Sequence, residues 1–353
     1  MSTDSAPAKR CPVSHDGGVY TVSGHPEAYE VANDPAKFSS RVSVHLNLPN
    51  GLDGEEHRQW RGLVDKYLAD ERVVPLYSMF EEVAEQIIAG LPRGEKVDVL
   101  TEIGRPLAVR AQSRWLGWDS SFEGELLAWM DRKQAAVKAG DREELAAVAD
   151  DFDDLIRRLI ASPAAGSPSE ELRSERVGST QRPIAHEEIV AVLRNWTAGD
   201  LESIAASITV VVNQLAAGAE GAEEKRAAMR SIPDAAIDEM LRIDDPFVSN
   251  RRIATEDVEL SGVTIPGGSR VLINWREANL DEQVFGDGFD PKAHEGDNLV
   301  FGTGPHYCPG HTLSTLQIRA AVLALMDGVE DFRLADTAQE DVAEGTYPPV
   351  VLS

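Results

Sequence analysis

The stretch FGTGPHYCPG, Phe301 to Gly310, sets one of only two cysteines in the chain among three glycines and two prolines. A lone thiol can serve as a nucleophile, a soft metal ligand or an inert small apolar group. Gly302, Gly304 and Gly310 weigh against the inert reading. They remove side chains where a flat, bulky group could lie against the backbone, and they permit turns with positive φ. The loop runs into a helix predicted from about Thr312 to Met326. Its N-terminal dipole and free N–H groups favour a thiolate at Cys308, and N–H groups aimed at sulfur tune the potential of an iron bound to it.

Three other spacings bear on chemistry. Glu239 and Arg242 stand three apart on a helix predicted to start near Pro233–Asp234 and stop before Pro246, so they can form one hydrogen-bonded ionic unit. His57 and Arg61, in EEHRQWRGLV, share a helix face at four-residue spacing; the plain reading is a solvated basic face. Asp200, Glu202 and Ser203, in NWTAGDLESIAAS, interrupt an otherwise apolar helix, where charge needs a reason.

The elements that must position these groups follow from hydrophobic periodicity. From Gly54 to about Leu215 the apolar spacing is helical, with a Ser-, Gly- and Pro-rich surface loop predicted over 162–183. The run from Ile184 to Gly218 is apolar on most faces, which predicts a helix crossing the centre of the molecule. A strand and short helix are expected near VYTVSGHPEAYEVAN, and RRIAT, VELSGVTIP and SRVLINW read as a small antiparallel unit. The pattern predicts one mostly α domain with a small β region over 19–353, preceded by a flexible polar tail over 1–18.

Bulk properties set limits. With 353 residues and 42% hydrophobic residues the chain can build a core. Two distant cysteines exclude a disulfide framework and paired-cysteine zinc sites, and fit a reducing cytoplasm. A net charge of -26 argues against nucleic acid and anionic lipid as partners. No run of about 18 apolar residues predicts a membrane span, and the N-terminus lacks the apolar core of a secretory signal.

Phe301, Gly302, Gly304, His306, Cys308 and Gly310 match Phe-Gly-x-Gly-x-His-x-Cys-x-Gly at every position. This resembles the haem-binding signature of soluble, bacterial-type cytochromes P450, and the resemblance runs from about residue 19 to the C-terminus. It implies the cytochrome P450 fold and haem b, with Cys308 as the proximal thiolate, Phe301 packed near the sulfur and His306 helping to hold a propionate. It further implies that His57, Arg61 and Arg252 bind propionates, and that Glu239 and Arg242 lock the core beside the haem. Two buried propionates need compensating cations. The family often adds an arginine after Phe-Asp-Pro-x; here Ala293 stands there, leaving Lys292 or His294 to serve, or nothing. Asn298 replaces a histidine common just before the cysteine loop.

The resemblance also implies that Ala198 and Gly199 let oxygen and substrate approach, and that an adjacent acid and alcohol then relay protons. Counting forward from Ala198–Gly199 puts Leu201 and Glu202 in those places; counting back from VVVNQLA puts Glu202 and Ser203 there. One residue is added, as in a local π-type bulge. The second register implies a monooxygenase inserting one atom of O2 into a small organic substrate, by hydroxylation or O-dealkylation. The first implies a peroxygenase in which Glu202 activates H2O2. A haem protein that binds a ligand or gas without turnover is a third reading. Ala198, Val248, Ser249 and Asn250 are the expected substrate contacts. Electrons are expected from a separate ferredoxin and its reductase, docking on a basic patch including Arg58 and Arg110.

Overall fold

The computed structural model of the chain describes residues 11–336 and 347–353. Helices dominate: α1 (His25–Asn33), α2 (Gly54–Leu68), α3 (Tyr77–Ala89), α4 (Arg105–Leu116), α5 (Glu123–Ala139), α6 (Arg142–Leu159), α7 (His186–Ala198), α8 (Asp200–Leu215), α9 (Ala222–Ser231), α10 (Pro233–Ile243) and α11 (His311–Gly328), besides shorter turns. Leu201, Ile204, Ile208, Val211 and Leu215 of α8 are each at most 1% exposed. A helix apolar on all faces has no solvent stripe and becomes a core strut. It packs on α4, α11 and a π-helical turn over Val99–Gly104. A Cβ on Gly104 would lie 2.7 Å from the Ala205 carbonyl oxygen, so glycine is what lets that turn touch α8.

The single helix expected from Ile184 to Gly218 is instead two, α7 and α8, separated by Gly199. The π-type bulge expected there is absent, and Gly199 keeps right-handed dihedrals (φ -79°, ψ -53°). Lys133 Nζ, on α5, donates to the Ala198 carbonyl (3.3 Å) and pairs with Glu202 Oε2 (2.8 Å). One cation thus holds a carbonyl at the break and the carboxylate one turn beyond it.

Helices α5 and α6 form a hairpin through left-handed Gly140 (φ 64°) and Asp141. The Asp141 carboxylate caps α6, accepting from the Glu143 and Glu144 N–H groups (3.1 and 3.0 Å). Arg194 of α7 binds Asp153 of α6 (2.7 and 2.8 Å) and the Leu46 carbonyl. Its neighbour Asn195 donates to the Leu48 carbonyl (2.6 Å). The loop before α2 and the α5–α6 hairpin are therefore both anchored on α7.

Five short strands, β1 (Val13–Asp16), β2 (Val19–Val22), β3 (Phe38–Ser39), β4 (Ser249–Ala254) and β5 (Arg270–Asn274), form one sheet in the order β1-β2-β5-β4-β3. The β5–β2 pair is parallel, so the sheet is mixed where an antiparallel unit was expected. A second sheet joins Phe332–Leu334, Val350–Leu352 and Lys96–Val97. Of the tail expected over 1–18, residues 1–10 lie outside the described residues, while Val13–Asp16 fold back on Val19–Val22 through Gly17 and Gly18, both at positive φ. Segment 162–183 is also more regular than a loop, holding a one-turn helix (Pro168–Glu171) and a small ladder, Arg176–Val177 with Arg182–Pro183.

Candidate active site

A cavity of about 260 Å³ lies between the α7–α8 junction, the Pro49–Asn50 loop, β4 and the cysteine loop. Cys308 lines it. The Cys308 N–H donates to the Phe301 carbonyl (2.9 Å), closing the loop on itself, and the Gly310 N–H donates to the sulfur. Burial and the charge of Asp200 push the thiol up to about 12, with Gly310 and Arg61 pulling the other way. A thiolate in this place needs a cation bonded to it.

The three glycines prove to have different reasons. Gly302 and Gly304 have positive φ (69° and 73°). A Cβ on Gly304 would stand 2.8 Å from the Ala32 carbonyl oxygen, so close packing on α1 requires it. Gly310 keeps a methyl group out of the cavity, where a Cβ would lie 3.8 Å from the sulfur. The Phe301 ring stacks obliquely on His311, centroids 4.1 Å apart.

Four basic groups gather beside this cavity: Arg252 and His306 line it, while His57 and Arg61 line a neighbouring opening that shares His306. His57 is 3% exposed and Arg252 6%. The rings of His57 and His306 lie 4.2 Å apart. Arg61 donates to the Pro305 carbonyl (3.0 Å) and pairs with Asp65 (2.5 Å). Strand alternation explains why Arg252 is the useful arginine: it shares a sheet face with Asn250, whereas Arg251 turns outward and is exposed. The Arg252 guanidinium donates to its neighbour's carbonyl (2.8 Å) and has no ion pair among the described residues. His306 meets the Ser40 hydroxyl (3.0 Å) and sits 3.9 Å from Asp53. Burial, then repulsion by His57 and Arg252, lowers His306 to about 3. Burial and Arg61 lower His57, and burial lowers Arg252. Arg252 is thus a buried cation without an ion pair among the described residues, and the two imidazoles are held neutral by burial; an anionic ligand would pair with the first and let the others charge. A thiol facing the cavity, a glycine cradle beside it and a basic cluster wanting carboxylates fit haem b and its two propionates.

At the opposite wall, Asp200 and Ser203 line the cavity and Glu202 does not. Glu202 turns toward Lys133, with a third of its side chain in solvent. A base inside the cavity, as the peroxygenase register requires, is therefore not what Glu202 supplies. The Asp200 carboxylate accepts from Gln112 (3.3 Å), and burial raises it to about 7 despite that bond.

Of the expected substrate contacts, Asn250 lines the cavity, its Oδ1 accepting from the Trp275 indole (2.8 Å). Ala198, Val248 and Ser249 do not. The helix break turns Ala198 aside, and Ser249 lies on the far face of β4 by strand alternation. Val248 is 43% exposed. Sequence reasoning missed Asn50, Asn195, Trp196 and Phe247, which do line it. Asn195 and Trp196 precede Gly199 by one helical turn, a spacing that could have found them; nothing local marks Asn50.

The ionic unit behind the cysteine loop is complete. Arg242 donates to both Glu239 oxygens (2.8 and 2.9 Å), and His294 Nδ1 lies 2.7 Å from Glu239 Oε1. His294, and not exposed Lys292, fills the place where Ala293 left a gap. Asn298 donates to the Asp238 carbonyl (2.9 Å). Of the arginines expected in a basic patch, Arg58 pairs with Glu55 (2.6 Å) and Arg110 with Glu123 (3.4 Å), and both side chains keep contact with solvent.

Comparisons with known proteins agree on one family. The sequence profile of the family Cytochrome P450 matches residues 211–346. Linalool 8-monooxygenase of Pseudomonas putida is 26% identical, covering 93% of this chain and 87% of that protein. Steroid C26-monooxygenase of Mycobacterium tuberculosis is also 26% identical, covering 90% of this chain and 78% of that protein. The hydroxylase HmtN, involved in himastatin biosynthesis, superposes with a TM-score of 0.83 at 22% identity, over 99% of this chain and 95% of its own. A mutant of P450 EryK in complex with erythromycin B gives 0.82 at 22% identity, over 97% and 93%. Likeness at that identity speaks to fold.

Proposed function

The chain belongs to the cytochrome P450 family and is a haem-thiolate monooxygenase; from that premise we propose how its own residues divide the work. Bound haem b supplies the activation of O2 whose oxygen enters the substrate. Cys308 is its thiolate ligand, and the Gly310 N–H tempers the basicity of that sulfur. His57, Arg61, Arg252 and His306 hold the propionates. The observation that carries this reading is a cavity-facing thiol beside a basic cluster whose buried Arg252 has no ion pair among the described residues.

Proton supply falls to Glu202 and Ser203. Glu202 reaches solvent and is held by Lys133, so it can collect a proton outside. Ser203 Oγ, next along the helix, faces the cavity and can hand one on. Its present bond, to the Asp200 carbonyl at 3.4 Å, is weak enough to give up.

The substrate is a mainly apolar small molecule with a hydrogen-bonding group. Trp196 and Phe247 give apolar wall, while Asn195 keeps its amide oxygen and Asn250 its amide N–H groups unspent. Hydroxylation at an unactivated C–H bond, as the names of the two monooxygenase relatives suggest, suits such a chamber. No helix among the described residues is long and apolar enough to cross a membrane, and the protein works in the cytoplasm with a ferredoxin and its reductase as electron donors.

The test is the ferrous carbon monoxide spectrum of purified protein with Cys308 intact and with Cys308→Ala. A thiolate-type spectrum in the parent and its loss in the variant are expected. An unchanged spectrum in the variant would remove the ligand assignment.

A further inference from the structure

A second cavity, of about 200 Å³, opens between α10, the segment before the cysteine loop and the start of α11. By volume it holds a handful of waters, at ~30 Å³ each. Asp234, Asp238, Glu239 and Glu295 line it, and among the described residues no lysine or arginine does. Two of these carboxylates are already committed: Glu239 to Arg242 and His294, and Asp234 to Arg319 (3.0 Å). Asp238 gives one oxygen to His311 Nε2 (3.2 Å). Its other oxygen, Oδ1, is buried with no hydrogen-bond partner. An independent orphan stands beside it. Thr315 is 4% exposed, lines the same cavity, and its Oγ1 has no partner either.

Buried acceptors left unpaired cost about 1–3 kcal/mol each, and these two face a space that a donor can enter from outside. Among the described residues no three His, Cys, Asp or Glu side chains converge as metal ligands. A guanidinium or ammonium group suits the site better, because it brings several N–H donors to acceptors spread around a pocket.

The pocket also adjoins the cysteine loop through His311. His311 touches the Phe301 ring and accepts from the Tyr307 hydroxyl at 2.7 Å. Tyr307 precedes Cys308 and is 38% exposed. Nearby arginines are paired, Arg61 with Asp65 and Arg319 with Asp234, and the Asp70 carboxylate accepts from the Thr312 hydroxyl (2.8 Å). The pocket itself is lined by acid.

We infer that this pocket receives an arginine or lysine side chain of the electron-donor protein, which docks on α10 and α11 with that cation inserted toward Asp238 and Thr315. This rests on the reading that electrons arrive from a separate protein. It makes the donor's anchor basic, whatever the charge of the rest of its surface.

The experiment uses the haem-loaded, photoreduced protein mixed anaerobically, at low salt, with two oxidants as docking probes. One is ferricytochrome c, with a lysine-rich face; the other is plastocyanin, an acidic copper protein. Cytochrome c is expected to oxidise the parent at least about tenfold faster. Thr315→Arg fills the pocket with a guanidinium of its own and Asp238→Asn removes its charge. Each is expected to slow cytochrome c about tenfold and leave plastocyanin unmoved, and agmatine should compete in the parent only. Glu295→Gln, at an exposed position, keeps the test open should either buried variant fold poorly; it should slow cytochrome c severalfold. Equal rates in parent and variants with intact carbon monoxide spectra overturn the inference. So does agmatine binding that leaves protein oxidation unaffected, which would make this a small-cation site only. Loss of the carbon monoxide spectrum in the parent would instead strike the haem assignment.

Discussion

Glu239–Arg242–His294 and His57–Arg61–Arg252–His306 are both buried ionic groups, yet they are built to opposite rules. In the first, every strong donor meets an acceptor: Arg242 reaches both Glu239 oxygens, the Asn279 carbonyl (2.6 Å) and the Gly288 carbonyl (3.3 Å), and the Asp290 N–H adds a further bond to Glu239. In the second, basic groups crowd each other: Arg61 pairs with Asp65, and Arg252 has no ion pair among the described residues. Burial lowers His57, His306 and Arg252, which keeps the imidazoles neutral until an anion joins them. A closed network holds a fold together; an open one of a single sign waits for a ligand. Asp245 shows a third way to bury charge. It is fully buried without an ion pair among the described residues, accepts from the Phe247 N–H (2.8 Å) and Asn279 (3.3 Å), and burial raises it to about 7, so it can keep its proton.

The largest expected effect breaks the closed network. Arg242→Ala strands Glu239, 1% exposed, without its cation, and breaking such a pair costs about 3–5 kcal/mol. Urea unfolding should show that loss in the protein with and without haem. A melt like the parent's would mean the unit is no strut.

Arg252→Ala should do the reverse. Loss of one charged hydrogen-bonding group, about 1.5–3 kcal/mol, should weaken haem binding by roughly ten- to a hundredfold in a titration. The haem-free variant should unfold no earlier than the parent, since its arginine met no protein anion. Destabilisation of the haem-free chain to the extent seen in Arg242→Ala would erase the contrast drawn above.

The smallest and most conditional effect concerns Asp245→Asn. The folded pKa of about 7 lies above the ordinary value of 3.8, so the native state binds the extra proton. Its contribution is whole below pH 4 and is lost as pH rises through 7, with a slope of at most about 1.4 kcal/mol per pH unit. The asparagine variant lacks this slope. Measured against the parent, its melting temperature should gain from pH 5 to about pH 7 and level off by about pH 8, and a constant offset would show that Asp245 titrates normally.

Much of the site was legible because it is local. The cysteine loop's glycines, the three-residue step from Glu239 to Arg242 and the four-residue step from His57 to Arg61 each place two groups together within one turn or one helix, and helical period alone secures that. The mostly α fold with its small sheet followed from the same periodicity. What could not be read were choices settled across the chain. Either His294 or Lys292 could complete the Glu239 unit, and packing on Glu239 chose His294. Glu202 and Ser203 are neighbours, but one residue along a helix turns a side chain by about 100°. Which of them faces the cavity depended on the break at Gly199 and on Lys133, sixty-odd positions earlier, reaching across from α5. Residue types and short spacings determined which groups could do the chemistry; contacts between distant segments decided which way each one points, because only they set the rotation of one helix or strand against the next.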